Sequence, residues 1–312
     1  MKILWLGWED HYTPARIRAA SERLGLDVTI AQVADLRFVA DSASGRVGVM
    51  LGDLDVARCF DALVVRVFYP RISEALTVVS LFHQAGKLVI DESLTDEGVT
   101  LSKMHDYLIL AQAGLPVPRT WHMADLSQVE TLAERLGYPL VLKGIHGSYG
   151  AHVHRIDTVD QLREVWARYR PGELMAQEYL PAESDFRVIC IGYRVLPALV
   201  ERAPKPGDFR TNSRQGGQAV GHALAAFPEL ALLAEEAARV LRREFAAVDL
   251  RYRGAQPVVL EVNRRPMFEN FERVTGVDVA GVFLDYIRRR YQAFTTVTAP
   301  ATTVQSAPVA AA

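Results

Sequence analysis

The sequence predicts a mixed α/β fold, opening with a small parallel sheet and continuing as two α+β regions. Strand and helix patterns alternate over residues 1–95, the signature of parallel strands joined by helical crossovers. Between residues 96 and 180 the strands are punctuated by glycine and proline, with helices between them. Beyond residue 181 apolar runs are joined by short turns, as antiparallel hairpins require.

The elements follow in order. Lys2–Leu6 reads as a strand, Pro14–Leu24 as a helix and Asp27–Ala31 as a second strand; Pro14 falls in the first helical turn and Gly25 just past the last. Asp41–Gly52 is rich in small residues and is expected to be a loop or hairpin excursion. Ala62–Val67 and Lys87–Ile90 are short apolar runs with Ser73–Ala85 helical between them. The middle region reads as helix Ser102–Ala113, helix Gln128–Leu136, strand Leu140–Lys143, the loop GIHGSYG, strand Val153–Ile156, helix Val159–Tyr169 and strand Leu174–Leu180. The last region has strands Phe186–Ile191 and Arg194–Arg202 around Gly192–Tyr193, then a helix over Leu230–Phe245. Strands Ala247–Tyr252 and Pro257–Asn263 flank Arg253–Gln256, and helix Val279–Arg290 closes the fold. This divides the chain at 1–95, 96–180 and 181–294, leaving a low-complexity tail at 295–312 that is expected to be disordered.

Composition narrows the function classes. Of 312 residues, 50% are hydrophobic and 23% charged, enough for a sizeable core. Lysine and arginine total 35 against 37 acids, a balance that argues against general nucleic-acid or membrane-surface binding. Cys59 and Cys190 have no zinc-ligand spacing around them, so a reducing, cytoplasmic setting is expected. MKILWLGW runs at once into Glu9, Asp10 and His11, too short for a signal peptide, and no apolar run approaches the roughly 20 residues that span a bilayer.

Chemistry is concentrated in a few stretches. In VVLEVNRRPM, Val258–Met267, Glu261 and Asn263 interrupt an apolar strand and point to one face. Left unpaired against a core they would cost several kcal/mol. With Asp249 on the neighbouring strand they form a hard-oxygen set suited to magnesium; the alternative is an ordinary half-exposed strand. Lys143 ends an apolar strand, and Gly144, Gly147 and Gly150 follow at spacing three, as a loop that brings backbone N–H groups to anionic oxygens would have it. A flexible hairpin connection has the same glycines, and neither a Walker A loop nor a dinucleotide fingerprint is present. Lys103, early on a helix, is either a second phosphate contact or solvated. AQEYL, Ala176–Leu180, is a strand end that can present backbone groups to a purine, or simply an edge strand. The charged segment Glu201–Gln218 is long for a plain connection. His146, His152 and His154 lack acidic or cysteine neighbours, which disfavours a transition-metal site, and Ser148 lacks a nucleophile elbow.

Taken together, KPGDFRTNSRQGGQ, VVLEVN and FERVTGVDVAG, in this order and spacing, resemble the ATP-grasp superfamily, and within it the RimK/LysX-like amino-acid (glutamate) ligase branch. The resemblance runs from about Leu88 to Tyr286, with residues 1–95 fitting the α/β domain that precedes the ATP-grasp lobes. It implies ATP held between two α+β lobes. Lys103, Lys143 and Lys205, His146, Gly147, Ser148 and Gly150, Gln177, Glu178, Tyr179 and Leu180, and Asp185 are then the ATP-binding candidates. Arg202 corresponds to an arginine near the transferred phosphate, Arg214 is a second catalytic candidate, and Asp249, Glu261 and Asn263 correspond to ligands of Mg2+, or of Mn2+. The implied reaction activates a carboxylate as an acyl phosphate and passes it to the amine of a small molecule, peptide or protein tail.

The pattern departs from the family in two places. Gln215 stands where an arginine precedes the double glycine, with Arg214 one step earlier, and Arg264–Arg265 follow Asn263 where small residues are usual. Asn212, Arg264 and Arg265 are therefore the candidate substrate contacts, and arginines at that place suit an acidic substrate; solvent exposure is the alternative for the pair. A nucleotide-binding module without turnover is the rival reading. A homo-oligomer is common in the family, and no residue of the chain points to its interface.

Overall fold

The computed structural model describes residues 1–7, 12–66, 71–146, 152–181, 183–211 and 218–298. Its first unit contains β1 (Lys2–Leu6), α1 (Tyr12–Leu24) and β2 (Asp27–Ala31). A small antiparallel excursion follows, β3 (Leu36–Asp41), β4 (Arg46–Leu51) and β5 (Leu54–Asp55), where a loop or hairpin is expected from the sequence. Next come α2 (Val56–Cys59), β6 (Ala62–Val65), α3 (Ile72–Gln84) and β7 (Leu88–Ile90). The sheet order is β2-β1-β6-β7, all parallel. Residues 3–6 and 62–65 are buried without alternation, because a parallel sheet is covered on both faces.

The middle unit comprises α4 (Lys103–Gln112), β8 (Thr120–His122), α5 (Leu126–Leu136), β9 (Leu140–Gly144), β10 (Val153–Ile156), α6 (Val159–Trp166) and β11 (Leu174–Glu178). Its antiparallel sheet has the order β10-β9-β11-β8. Leu140, Leu142 and Ala176 face one way and pack on Val129 and Ala133 of α5 and Leu162 of α6. By alternation Val141, Lys143 and Gln177 face the other way, into the space between lobes.

The last unit is a five-stranded antiparallel sheet, order β14-β13-β12-β15-β16, made by β12 (Asp185–Ile191), β13 (Arg194–Ala203), β14 (Gln218–Ala223), β15 (Phe245–Arg253) and β16 (Gln256–Asn263), with α7 (Pro228–Val240), α8 (Glu269–Thr275) and α9 (Val279–Thr298). One face packs on α7 through Val188, Cys190, Ala246 and Val248. The other face is divided along the strands. At one end Ile189, Ile191, Phe245 and Ala247 share a core with α9 and with Ile3, Trp5 and Val64 of the parallel sheet. At the other end the same alternation brings up Asp185, Arg187, Asp249, Arg251 and Arg202, which line a cavity. One sheet face therefore serves as both core wall and cavity wall.

Two expectations are corrected. The helix expected over Leu230–Phe245 ends at Val240: Arg242 adopts φ +49°, and Phe245 is drawn into β15, its ring 4.2 Å from that of Phe283. The closing helix does not stop at Arg290 but runs to Thr298, since Tyr291 and Phe294 still have the shared core to pack against. The rest of the tail, 299–312, lies outside the described residues.

The β12–β13 turn illustrates a tight local requirement. Gly192 and Tyr193 both adopt positive φ, +59° and +63°, the pattern of a type I′ hairpin. A Cβ on Gly192 would run into the Tyr286 ring, which itself donates to the buried Glu244. Gly192→Ala is expected to cost about 1–3 kcal/mol in urea denaturation, from strain and overpacking together. Wild-type stability would show that the Tyr286 ring moves aside freely.

Candidate active site

A cavity of about 390 Å³ lies between the middle sheet and the last one. Asp249 on β15 and Glu261 on β16 stand directly opposite one another, and Asn263 faces Ala247 two residues along. The pairing is interrupted just beyond: Leu250 pairs with Val259, leaving Leu260 as the extra residue of a bulge. Freed from the ladder, the Leu260 carbonyl accepts from the Tyr107 hydroxyl and lies 3.4 Å from Lys143 Nζ. The bulge thus ties the metal-candidate strand to the middle lobe.

Two carboxylates directly opposite on neighbouring strands repel. Four cations offset this. Arg187 binds Asp249 through both Nε and Nη2 at 2.8 Å, and Arg202 Nη2 approaches the same carboxylate at 3.0 Å. Burial would raise the Asp249 pKa, but the two guanidiniums outweigh it and hold the group well below the usual carboxylate range. Glu261 lies between Lys103 Nζ at 3.1 Å and Lys143 Nζ at 3.6 Å. Burial again opposes, and the lysines pull its pKa down to about 2. Burial is also the largest influence on Lys103 and lowers its pKa, with the Lys143 charge acting in the same direction. A polyanion entering here meets cations already partly desolvated.

The donor set fits a hard divalent cation. Asp249, Glu261 and Asn263 offer oxygens from adjacent strands on one face, and both carboxylates are held ionised. Only two are acids, and among the described residues no group of three or more His, Cys, Asp or Glu gathers. A magnesium ion, which keeps several waters and shares phosphate oxygens, needs no more.

The remaining candidates separate into three groups. Gln177 and Glu178 at the end of β11, and Tyr179 and Leu180 just past it, line the cavity. Gln177 donates to Thr120 Oγ1 at 2.8 Å, Glu178 pairs with Arg119 and Arg253, and the Leu180 carbonyl accepts from Arg251 at 2.9 Å. Asp185 lines the cavity too, accepting from Arg202 Nε at 2.6 Å and from the Thr211 hydroxyl. Lys205 is not among the lining residues; it borders a neighbouring cleft with Arg155 and Asp208. His146 is exposed and does not line the cavity. Gly147, Ser148, Gly150, Asn212 and Arg214 lie outside the described residues. His152 and His154 both meet the Tyr169 hydroxyl, at 3.0 and 2.8 Å.

Arg264 and Arg265 part company. Arg265 lines the cavity, whereas Arg264 does not: its Nη1 lies 2.8 Å from Ser93 Oγ and 3.6 Å from Asp91 Oδ2, at the C-terminal end of β7. Substrate contact and solvent exposure were the alternatives for the pair, and Arg264 takes neither. Arg187 is the residue that sequence reading missed. It lies two residues after Asp185 on one strand face, so alternation alone could have found it.

Comparison with known proteins bears on the family and the fold. Residues 100–287 match the RimK-like ATP-grasp domain. The chain is 31% identical over 245 residues to a probable alpha-L-glutamate ligase of Maridesulfovibrio salexigens, covering 75% of this chain and 78% of that protein. A probable alpha-L-glutamate ligase of Legionella pneumophila is 28% identical over 93% of this chain and 96% of its own length. Among solved structures, a RimK domain ATP-grasp protein of Sphaerobacter thermophilus superposes with TM-score 0.68 at 20% identity, over 92% of this chain and 99% of that one. The ATP-grasp ligase PsnB, complexed with a phosphomimetic variant of its minimal precursor, Mg and ADP, superposes with TM-score 0.70 at 18% identity, over 93% and 98%. A domain match spanning most of the chain and a fold shared nearly end to end lead to one conclusion: the chain belongs to the RimK-like ATP-grasp family.

Proposed function

We propose that the chain is an ATP- and magnesium-dependent carboxylate–amine ligase that joins a glutamate-like amino acid to a peptide, protein terminus or small-molecule amine. The observation that carries this reading is the Asp249–Glu261 pair, directly opposed beside a bulge and flanked by Arg187, Arg202, Lys103 and Lys143. Such a cluster suits phosphoryl transfer, where positioning and charge neutralisation do most of the catalysis. The relatives named probable alpha-L-glutamate ligase support the amino-acid class, and the PsnB complex with Mg and ADP supports the nucleotide and metal. Manganese, with similar ligand preferences, is the alternative metal.

In the first step a carboxylate oxygen of one substrate takes the γ-phosphoryl of ATP and ADP leaves. In the second, the amine nitrogen of the other attacks the acyl carbon, inorganic phosphate departs and the nitrogen gives up a proton. Magnesium, when bound, neutralises charge on the phosphate oxygens. Lys103 and Lys143 serve the nucleotide phosphates, with Arg202 beside the transferred group. Gln177–Leu180 receive the purine edge, and Arg265 faces the carboxylate substrate. Lys205, His146 and residues 147–150, with Asn212 and Arg214, are assigned to the same reaction by resemblance alone. No nucleophilic side chain is required.

The test is ADP release with glutamate and a panel of amine acceptors, coupled to mass spectrometry of the product amide. Lys143→Ala is expected to raise the KM for ATP about tenfold or more, by loss of a charge-assisted contact worth about 1.5–3 kcal/mol. Binding of magnesium–ATP without turnover on any acid and amine would favour a regulatory nucleotide-binding module. Among the described residues no helix is long and apolar enough to cross a membrane. A reducing, cytoplasmic setting is proposed on the cysteine usage of the sequence.

A further inference from the structure

A second, much smaller cavity of about 20 Å³ adjoins the first. Arg265, Pro266 and Met267 line both, so this segment is their common wall. The small cavity sits where β1 and β6 end, at Gly7 and Arg66, the C-terminal edge of the parallel sheet. In open parallel sheets that edge is where ligands collect.

Arg66 is the unusual residue here. Its side chain is almost wholly buried, with the guanidinium carbon 5.0 Å from the ring centroids of both Phe245 and Phe283. Nη1 is accounted for: it donates to the Arg264 carbonyl at 2.8 Å and lies 3.5 Å from Asp91 Oδ2. Among the described residues, Nε and Nη2 are buried without any hydrogen-bond partner. Those two nitrogens form one edge of the guanidinium, and their N–H bonds run side by side. This is the fork that a carboxylate fills with two parallel hydrogen bonds. Two buried donors left unmade are a cost that a bound anion would remove.

We propose that the small cavity is the specificity pocket for the side-chain carboxylate of an acidic amino-acid substrate, gripped by the Nε/Nη2 edge of Arg66. The rest of that substrate extends past Arg265 into the main cavity, where its reacting group meets the nucleotide. The aromatic stack fixes the guanidinium plane, and the Arg264 carbonyl and Asp91 fix its rotation, so the free edge is preorganised. A neutral amide in place of the carboxylate presents N–H to N–H and is rejected. This identification of the ligand as a substrate rests on the ligase reading; the existence of the pocket does not.

Two measurements separate the failures. Calorimetric titration of the wild-type chain with glutamate and with glutamine is expected to show glutamine at least about tenfold weaker, the loss of one charge-assisted contact. Equal affinities, or no binding of either, overturn the pocket. In turnover assays Arg66→Lys keeps the charge and loses the fork. Its KM for glutamate is expected to rise about tenfold or more and its preference over glutamine to shrink in proportion, with the KM for ATP unchanged. A folded Arg66→Lys with wild-type selectivity overturns the assignment, as does an equal rise in both KM values. Preferential glutamate binding with no turnover by the wild type would sink the ligase reading and leave the pocket standing.

Discussion

Glu261→Gln is expected to lower ATP-dependent ligation by about 10³-fold, with the chain still folded, because it removes a charge from the centre of the reacting cluster. The substitution keeps volume and one oxygen. What it takes away is the anion between Lys103 and Lys143, one of two carboxylates available to a metal. The two lysines then repel each other and the metal alike, so magnesium affinity falls along with turnover. Nucleotide binding measured without magnesium should weaken little, because two ammonium groups remain for the phosphates. Asp249→Asn is expected to match it in turnover and to differ in stability. Arg187 and Arg202 lose a partner that both hold within 3.0 Å, on a buried strand face. Glu261→Gln turning over within tenfold of wild type, at any magnesium concentration, would sink the metal assignment and with it the phosphoryl-transfer geometry.

Much of this site was legible because strand periodicity is strict. Glu261 and Asn263, two apart in an apolar run, had to share a face, and the face had to be polar at that end of the sheet. The bulge at Leu260 was not legible: no glycine or proline marks it, and it arises from how β15 and β16 pair, not from either strand alone. The place of Arg187 was legible by alternation from Asp185, but its role was not. Its strand reads as apolar, and the carboxylate that gives the arginine its role lies 62 residues away. Helix α7 was extended too far because LLAEEAARVLRREF runs on in helical spacing with no glycine or proline stop. What ends it is tertiary, namely the pull of Phe245 into the aromatic core with Phe268 and Phe283. Arg264 shows the same limit from the other side. A pair of arginines after a candidate metal strand reads as substrate-facing, yet Ser93 and Asp91, just past β7, claim the first of them.

That contact makes Asp91 the residue whose loss should cost the fold most. Its side chain is fully buried at the end of β7, where Oδ1 accepts from the Phe245 backbone N–H at 3.1 Å. Oδ2 faces Arg66 at 3.5 Å and Arg264 at 3.6 Å, and is the only acid within ion-pair distance of either guanidinium among the described contacts. Burial, reinforced by the nearby Arg243 charge, already pulls the Arg264 pKa down to about 9. Asp91→Ala strips the one compensating charge from two buried cations and orphans a backbone donor at the start of β15. Breaking such a cluster from one side typically costs about 3–5 kcal/mol, far more than the cluster adds when intact. The expected result is a loss of that size in urea denaturation, with the parallel sheet loosening from the last sheet. Asp91→Asn keeps the acceptor for Phe245 and should fall between, while Ser93→Ala, removing one hydrogen bond to Arg264, should cost about 1 kcal/mol. Asp91→Ala within 1 kcal/mol of wild type would mean that water reaches both arginines, and the seam between the two sheets would then be wet, not a dry joint that carries Arg66 and β16 together.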